Sequence, residues 1–173
     1  PVVFNNISHD RFQIRSAAVG LRIAYLYSGP QREMDAAVLG QVVGATVVPI
    51  DILRHESHDL SDQLAWDDFV RSLRSGYFHA VLMSPPCGTF SVARSGQGGP
   101  TALRGESSPD IFGFRHLTPD DKEKVRFGTL LAVRASEAAA IALELGIPWI
   151  AETPLLRNGA PSVFKLPQWL DVR

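Results

Sequence analysis

Tyr77-Phe78-His79-Ala80-Val81-Leu82-Met83-Ser84-Pro85-Pro86-Cys87 is the stretch on which the fold turns. It reads as an apolar strand through Met83 that two prolines stop. Proline fixes φ and has no N–H for a ladder, so the chain must leave the sheet there in a defined direction. Three other short apolar runs share the pattern. They are Leu21-Arg22-Ile23-Ala24-Tyr25-Leu26-Tyr27, ended by Ser28-Gly29-Pro30, then Thr46-Val47-Val48-Pro49-Ile50-Asp51-Ile52, and Pro148-Trp149-Ile150-Ala151, left through Glu152-Thr153-Pro154. Helical periods lie between them. Residues 34–44 place Met34, Ala37, Val38 and Val42 on one side, with Gly44 at the C-cap. Residues 62–73 turn Leu64, Phe69, Val70 and Leu73 inward and stop at Gly76. A third helix opens at Thr118, with Pro119 at N1 and Asp120-Asp121 in the first turn, and runs through the alanine-rich residues 130–145 to Gly146. Strand alternating with helix predicts an α/β fold, a doubly wound and mostly parallel sheet with helices on both faces.

The 173 residues fit one domain and can bury a sizeable core. A net charge of −1 exerts no global pull toward nucleic acid or membrane, so any polyanion contact is local or comes from another chain or segment. A single cysteine excludes an intrachain disulfide and a cysteine-cluster metal site, and suits a reducing compartment. No apolar stretch approaches membrane-spanning length and no charged-then-apolar leader opens the chain, which points to a cytoplasmic or nucleoid-associated protein that is not secreted. Residues 1–20 read as an N-terminal arm or short helix, leaving 21–173 as the domain proper. The chain opens on Pro1 and closes on Leu166-Pro167-Gln168-Trp169-Leu170-Asp171-Val172-Arg173, which suggests processing or a piece of a longer protein.

In parallel sheets, ligands gather at the carboxyl ends of the strands. Ser28-Gly29, Asp51, Cys87 and Glu152 all follow predicted strands and should converge on one edge. A thiol is intrinsically a strong nucleophile, and a nearby cation or helix N-terminus ionises it. The alternative is a buried, inert cysteine, but the Pro-Pro before it and the long loop after it favour the nucleophile. Glu152, at the end of an apolar strand, is expected to lose hydration and to hold or donate a proton, the alternative being a helix cap or surface acid. Asp51 follows the Gly-containing turn by roughly 20 residues, the spacing at which an acid accepts hydrogen bonds from ribose hydroxyls. Asp59-Leu60 would set a carboxylate and an apolar side chain against an adenine; a helix-capping Asp explains the pair equally well. His55, His58, Asp59 and Asp62 match no metal-ligand spacing. Residues 94–119 form a long Gly/Pro/Ser loop without period, the kind that is functional or disordered.

The order Tyr27-Ser28-Gly29, Asp51, Pro85-Pro86-Cys87-Gly88-Thr89-Phe90-Ser91 and Glu152-Thr153-Pro154 resembles the motifs of DNA (cytosine-5) methyltransferases, with short phage or mobile-element members most similar. The resemblance spans residues 21–154 and implies the Rossmann-like fold of S-adenosylmethionine-dependent methyltransferases. It implies that Cys87 attacks C6 of a flipped cytosine and that Glu152 holds the N3 and amine edge. S-adenosylmethionine would methylate C5. Tyr27, Ser28, Gly29, Asp51, Ile52, Asp59, Leu60 and Pro86 would line its site. The loop would close over the extruded base, with Ser91, Arg94, Arg104 and Arg115 meeting DNA. Three departures stand beside this. Pro30-Gln31 replaces further glycines of the first motif, Gly88 stands where Gln is common, and no Gln-x-Arg-x-Arg element or target-recognition region follows. The resemblance therefore implies a site completed by a second chain or a C-terminal segment. Two other readings stay open: a catalytically incomplete binding module of the same fold, and a thiol enzyme acting on free pyrimidine nucleotides.

Overall fold

The computed structural model describes residues 20–95, 98–154 and 159–172. Except for Gly20, the arm expected over residues 1–20 lies outside the described residues. The chain divides into two compact units, Pro1–Ser84 with Ala138–Ala151, and Pro85–Glu137 with Glu152–Arg173, where one domain was expected over 21–173.

The first unit holds a four-stranded, all-parallel sheet in the order β2-β1-β3-β4. Its strands are β1 (Arg22–Leu26), β2 (Thr46–Ile50), β3 (Ala80–Met83) and β4 (Trp149–Ala151). The registers pair Leu26 with Ile50 and Met83, and Met83 with Ala151. Ala24, Leu26, Val48, Ile50, Val81 and Met83 are register partners on one face and all buried; on the other face Val47 and Pro49 are buried and Ile23, Tyr25 and Leu82 half-buried. The chain steps from β1 to β2 in one direction, then crosses back to β3 and on to β4 in the other. With right-handed crossovers, this reversal puts α1 (Ala36–Val42) and α2 (Gln63–Arg74) on opposite faces. The connection from β3 to β4 runs in the same direction as the one carrying α2. Its helix α3 (Pro119–Glu144) accordingly ends beside α2, where Arg74 donates from both Nη atoms to Glu144, each at 2.9 Å.

Two helices turn a different face inward than the apolar spacing suggests. In α1 the buried residues are Ala37 and Gly40, while Met34 and Val42 are 73% and 82% exposed. A Cβ on Gly40 would lie 2.7 Å from Val47 Cγ2, so small residues let the helix lie close on β2 and the valines turn out. In α2 the buried side is Ala65, Trp66, Phe69 and Leu73, with Leu64 exposed, because Asp62 caps the helix by accepting from Ala65 N and so sets where the first turn begins.

The second unit is built on a polar-looking segment. Residues 94–119 carry their own apolar cluster of Leu103 and Leu117, which packs with Val125 and Phe114. Phe114 N donates to Leu103 O at 3.1 Å and Gly105 N to Asp110 O at 2.9 Å, with a 3-10 turn at Asp110–Phe112 between them. The loop is therefore built around a small core of its own, not an open strap. After Glu152 the chain adds a 3-10 turn at Val163–Lys165 and the short helix α4 (Pro167–Leu170). There Trp169 is 2% exposed and its indole N–H donates to Ala132 O at 3.1 Å. Among the described residues no helix is long and apolar enough to cross a membrane.

Candidate functional site

At the carboxyl ends of β1 and β2 the first unit ties two loops together. Tyr27, the residue after β1, has φ 59°, a left-handed conformation that costs a non-glycine residue about 1–2 kcal/mol. Gly29 follows at φ 69°, so the chain reverses within three residues. The turn is latched by Asp51, whose Oδ2 accepts from Gly29 N at 2.9 Å and whose Oδ1 accepts from Leu53 N at 2.8 Å. Arg54 completes the latch. Its Nε donates to Gly29 O at 2.7 Å, and its Nη2 pairs with Asp35, the N-cap of α1. Burial pushes the Asp35 carboxyl up, but the Ala37 amide and the Arg54 guanidinium outweigh it and hold the group below its usual range. Ser28 is buried, whereas Ile52 and Leu53 next to Asp51 are 53% and 68% exposed.

The other expected cofactor contacts lie further along. Asp59 Oδ1 accepts from Ser61 N at 2.8 Å and Ser61 Oγ at 2.6 Å, a local turn that leads to the cap of α2. Leu60 is 3% exposed and packs inside the unit, so it offers no open apolar face to a ring. Tyr25 Oη and Ser84 Oγ lie 3.2 Å apart across the ends of β1 and β3. Between these two strands the winding reverses, which is where open parallel sheets form their ligand crevice.

The second unit carries the thiol. Pro85 is buried, Pro86 exposed and Cys87 half-buried with a free sulfhydryl. Phe90 N donates to Cys87 O at 2.8 Å, closing a turn over residues 87–90. Arginines grip each residue that follows the cysteine. Arg94 Nε donates to Gly88 O at 2.6 Å, Arg104 Nε donates to Thr89 Oγ1 at 3.1 Å, and the Arg104 guanidinium lies 3.8 Å over the Phe90 ring.

Arg104 is not a phosphate contact. It is 2% exposed and spends its donors inside the fold, with Nη1 on Ile111 O (2.8 Å) and Thr129 Oγ1 (2.9 Å) and Nη2 on Val125 O (2.7 Å). All of these partners are neutral oxygens, and burial lowers the guanidinium to about 10, still charged at neutral pH. Arg94, also expected at DNA, spends its side chain on Gly88 O and, at 3.2 Å, on Thr101 O. Ser91 Oγ accepts from Ala93 N at 3.2 Å. Arg115 alone of the three arginines is exposed, on a groove it shares with Phe112, Lys122 and Arg126.

Glu152 leaves β4 one residue after Ala151, the register partner of Met83 in β3, so neighbouring strands deliver the two expected catalytic residues. Its side chain is exposed, and the dehydration expected at the end of an apolar strand is absent because β4 is a three-residue edge strand with Ile150 66% exposed. Sequence reasoning missed Thr89, Thr129 and Gly128. A Cβ on Gly128 would sit 2.8 Å from Thr89 Oγ1 and 3.4 Å from Arg104 Nη2, so α3 reaches the thiol turn through a bare backbone. A glycine inside a 26-residue helix was the one available signal of that approach. Comparison with protein-family models, curated proteins and solved structures gave no match to this chain.

Proposed function

We propose that the chain is a thiol-dependent methyltransferase unit of the DNA (cytosine-5) type, using a Rossmann-like cofactor domain. One observation carries the reading: the turn after β3 is pinned at Gly88, Thr89 and Phe90, while the cysteine it presents stays half-exposed. A structural cysteine is usually the buried part of its surroundings; here the surroundings are fixed and the sulfur is left accessible. The parallel sheet and its winding reversal between β1 and β3 support the cofactor half of the proposal.

The residues after β1 and β2 fit an adenosine. Each Asp51 oxygen accepts one backbone N–H and keeps a lone pair for a ribose hydroxyl, and the exposed Ile52 and Leu53 beside it offer apolar surface. S-adenosylmethionine would supply C5 of cytosine with a methyl group in exchange for the C5 proton. Cys87 would lose its proton and add to C6, passing an electron pair to C5 that bonds the methyl group and leaves S-adenosylhomocysteine; when C5 then loses its proton, the former C5–H pair re-forms the C5–C6 double bond and expels the thiolate. Glu152 would hydrogen-bond the N3 and amine edge of the ring while C6 is saturated. The test is a covalent adduct between the protein and DNA containing 5-fluorocytosine, formed with S-adenosylmethionine and abolished by Cys87→Ala. Adducts or turnover with a free mononucleotide would move the assignment to nucleotide chemistry. The exposure of Glu152 favours a second reading, a cofactor-binding module that needs another chain to act; thermal stabilisation by S-adenosylmethionine without any adduct would select it.

A further inference from the structure

We propose that Arg104 is a positioning residue, which fixes the Cys87 turn by way of Thr89 and Phe90. The inference rests on the reading of Cys87 as a nucleophile but is tested without a substrate. A buried guanidinium is usually paired with a carboxylate, because an isolated cation loses its hydration with nothing to replace the charge. Arg104 has no such pair among the described residues; its donors go to two hydroxyls and two carbonyls. If stability were all this side chain served, an apolar residue of similar volume would fill the site at less cost. What the guanidinium does that an apolar group cannot is bond in several directions at once. One edge takes the helix, at Val125 O and Thr129 Oγ1, another takes Ile111 O, and Nε takes Thr89, two residues from the thiol. Its flat face covers Phe90, the residue whose amide closes the turn on Cys87 O. Gly128 keeps the helix close enough for this, since a Cβ there would meet both Thr89 Oγ1 and Arg104 Nη2. The turn is thereby referenced to a long helix instead of to its own short loop. Thr118 separates positioning from stability: it caps the same helix by accepting from Asp121 N at 3.2 Å and supplies none of the four oxygens that Arg104 bonds.

The experiment is the rate of Cys87 alkylation by iodoacetamide in the intact chain, the one thiol it has, for wild type, Arg104→Lys, Thr89→Val and Thr118→Val. Each variant is first shown to be folded by its circular dichroism and melting temperature. Thr89→Val is expected to alkylate up to about fivefold faster, the opening factor of one lost hydrogen bond, and Arg104→Lys, which gives up more than one, at least as fast. Thr118→Val, which loses a helix cap and some melting temperature with it, is expected to react at the wild-type rate. Wild-type rates in both Thr89→Val and Arg104→Lys would overturn the proposal, as would an equal acceleration in Thr118→Val, which would show a general loss of stability. Adduct formation with 5-fluorocytosine DNA is measured in parallel. Its absence from wild type would count against the methyltransferase reading while leaving the alkylation result to decide the role of Arg104.

Discussion

Each unit holds down a loop that leaves the sheet, and the two use opposite chemistry. After β1, an acid does it: Asp51 collects backbone amides and Asp35 pairs with Arg54. After β3, a cation does it: Arg104 donates to neutral oxygens and, among the described residues, no carboxylate answers it. The acidic latch gathers N–H groups and leaves carboxylate lone pairs, which suits a ligand rich in hydroxyls. The cationic latch adds no negative charge beside the cysteine, where a carboxylate would oppose ionisation of the thiol. The difference also sets which conditions each latch senses.

Removing the cation should have the largest effect. Arg104→Ala strips four hydrogen bonds and leaves two buried carbonyls and two hydroxyls facing a cavity, so a loss of about 3–5 kcal/mol is expected from denaturant unfolding. Arg104→Lys, with one compact ammonium, should recover only part of it. A loss under about 1 kcal/mol for Arg104→Ala would mean that the cation is not what holds the second unit's loop.

Breaking the acidic latch comes next. Asp35 and Arg54 expose only 5% and 12% of their side chains, so Asp35→Ala abandons a nearly buried guanidinium and removes the cap of α1. About 2–4 kcal/mol is expected, and Asp35→Asn, which keeps an acceptor for Ala37 N, should lose less.

Acid then separates the two latches without mutation. The Asp35 carboxyl sits below its ordinary value of 3.8 in the folded protein, so its contribution is complete above that value and is lost as pH falls through the folded one. Arg104 is held at about 10, beneath its ordinary value, so its charge is a constant cost at all lower pH and is relieved only above the folded value. Unfolding free energy measured from pH 6 to pH 3 should therefore fall less steeply in Asp35→Asn than in wild type, and Arg104→Lys should leave the slope unchanged. Parallel slopes for Asp35→Asn and wild type would remove Asp35 from the acid response.

The same contrast explains how far the sequence could be read. Strands were legible because Ile23–Leu26, Val47–Ile50 and Val81–Met83 are apolar and short, and because Pro85-Pro86 dates the exit from β3 to a single residue. That Cys87 and Glu152 both follow strands was legible in the α/β alternation; that those strands are neighbours was not, since it belongs to strand order. What failed were inferences from polarity. Arg104 looked like a surface cation because charge in a Gly/Pro-rich loop normally faces water, yet its partners are neutral oxygens that no spacing marks. Glu152 looked dehydrated because apolar residues precede it, but β4 lies at the sheet edge, a property of strand order and not of local sequence. Helix α1 turned its valines outward because a glycine, not a large apolar residue, makes its contact with β2.

The smallest test asks whether the acidic latch tolerates its own turn. Gly29 has φ +69°, and a Cβ there would meet nothing nearer than Arg32 Nη2 at 3.7 Å. Space is therefore not at issue, and Gly29→Ala should cost only its left-handed backbone, about 1–2 kcal/mol. Gly128→Ala reverses the terms. Its helical backbone favours alanine by about 1 kcal/mol, but a Cβ 2.8 Å from Thr89 Oγ1 overpacks the cationic latch. Denaturant unfolding of both variants gives the comparison. A Gly29→Ala variant as stable as wild type would show that the turn after β1 relaxes to another conformation. Iodoacetamide should then report faster Cys87 alkylation in Gly128→Ala, because that residue's new methyl can be accommodated only by moving the side chain that holds the thiol turn to its helix.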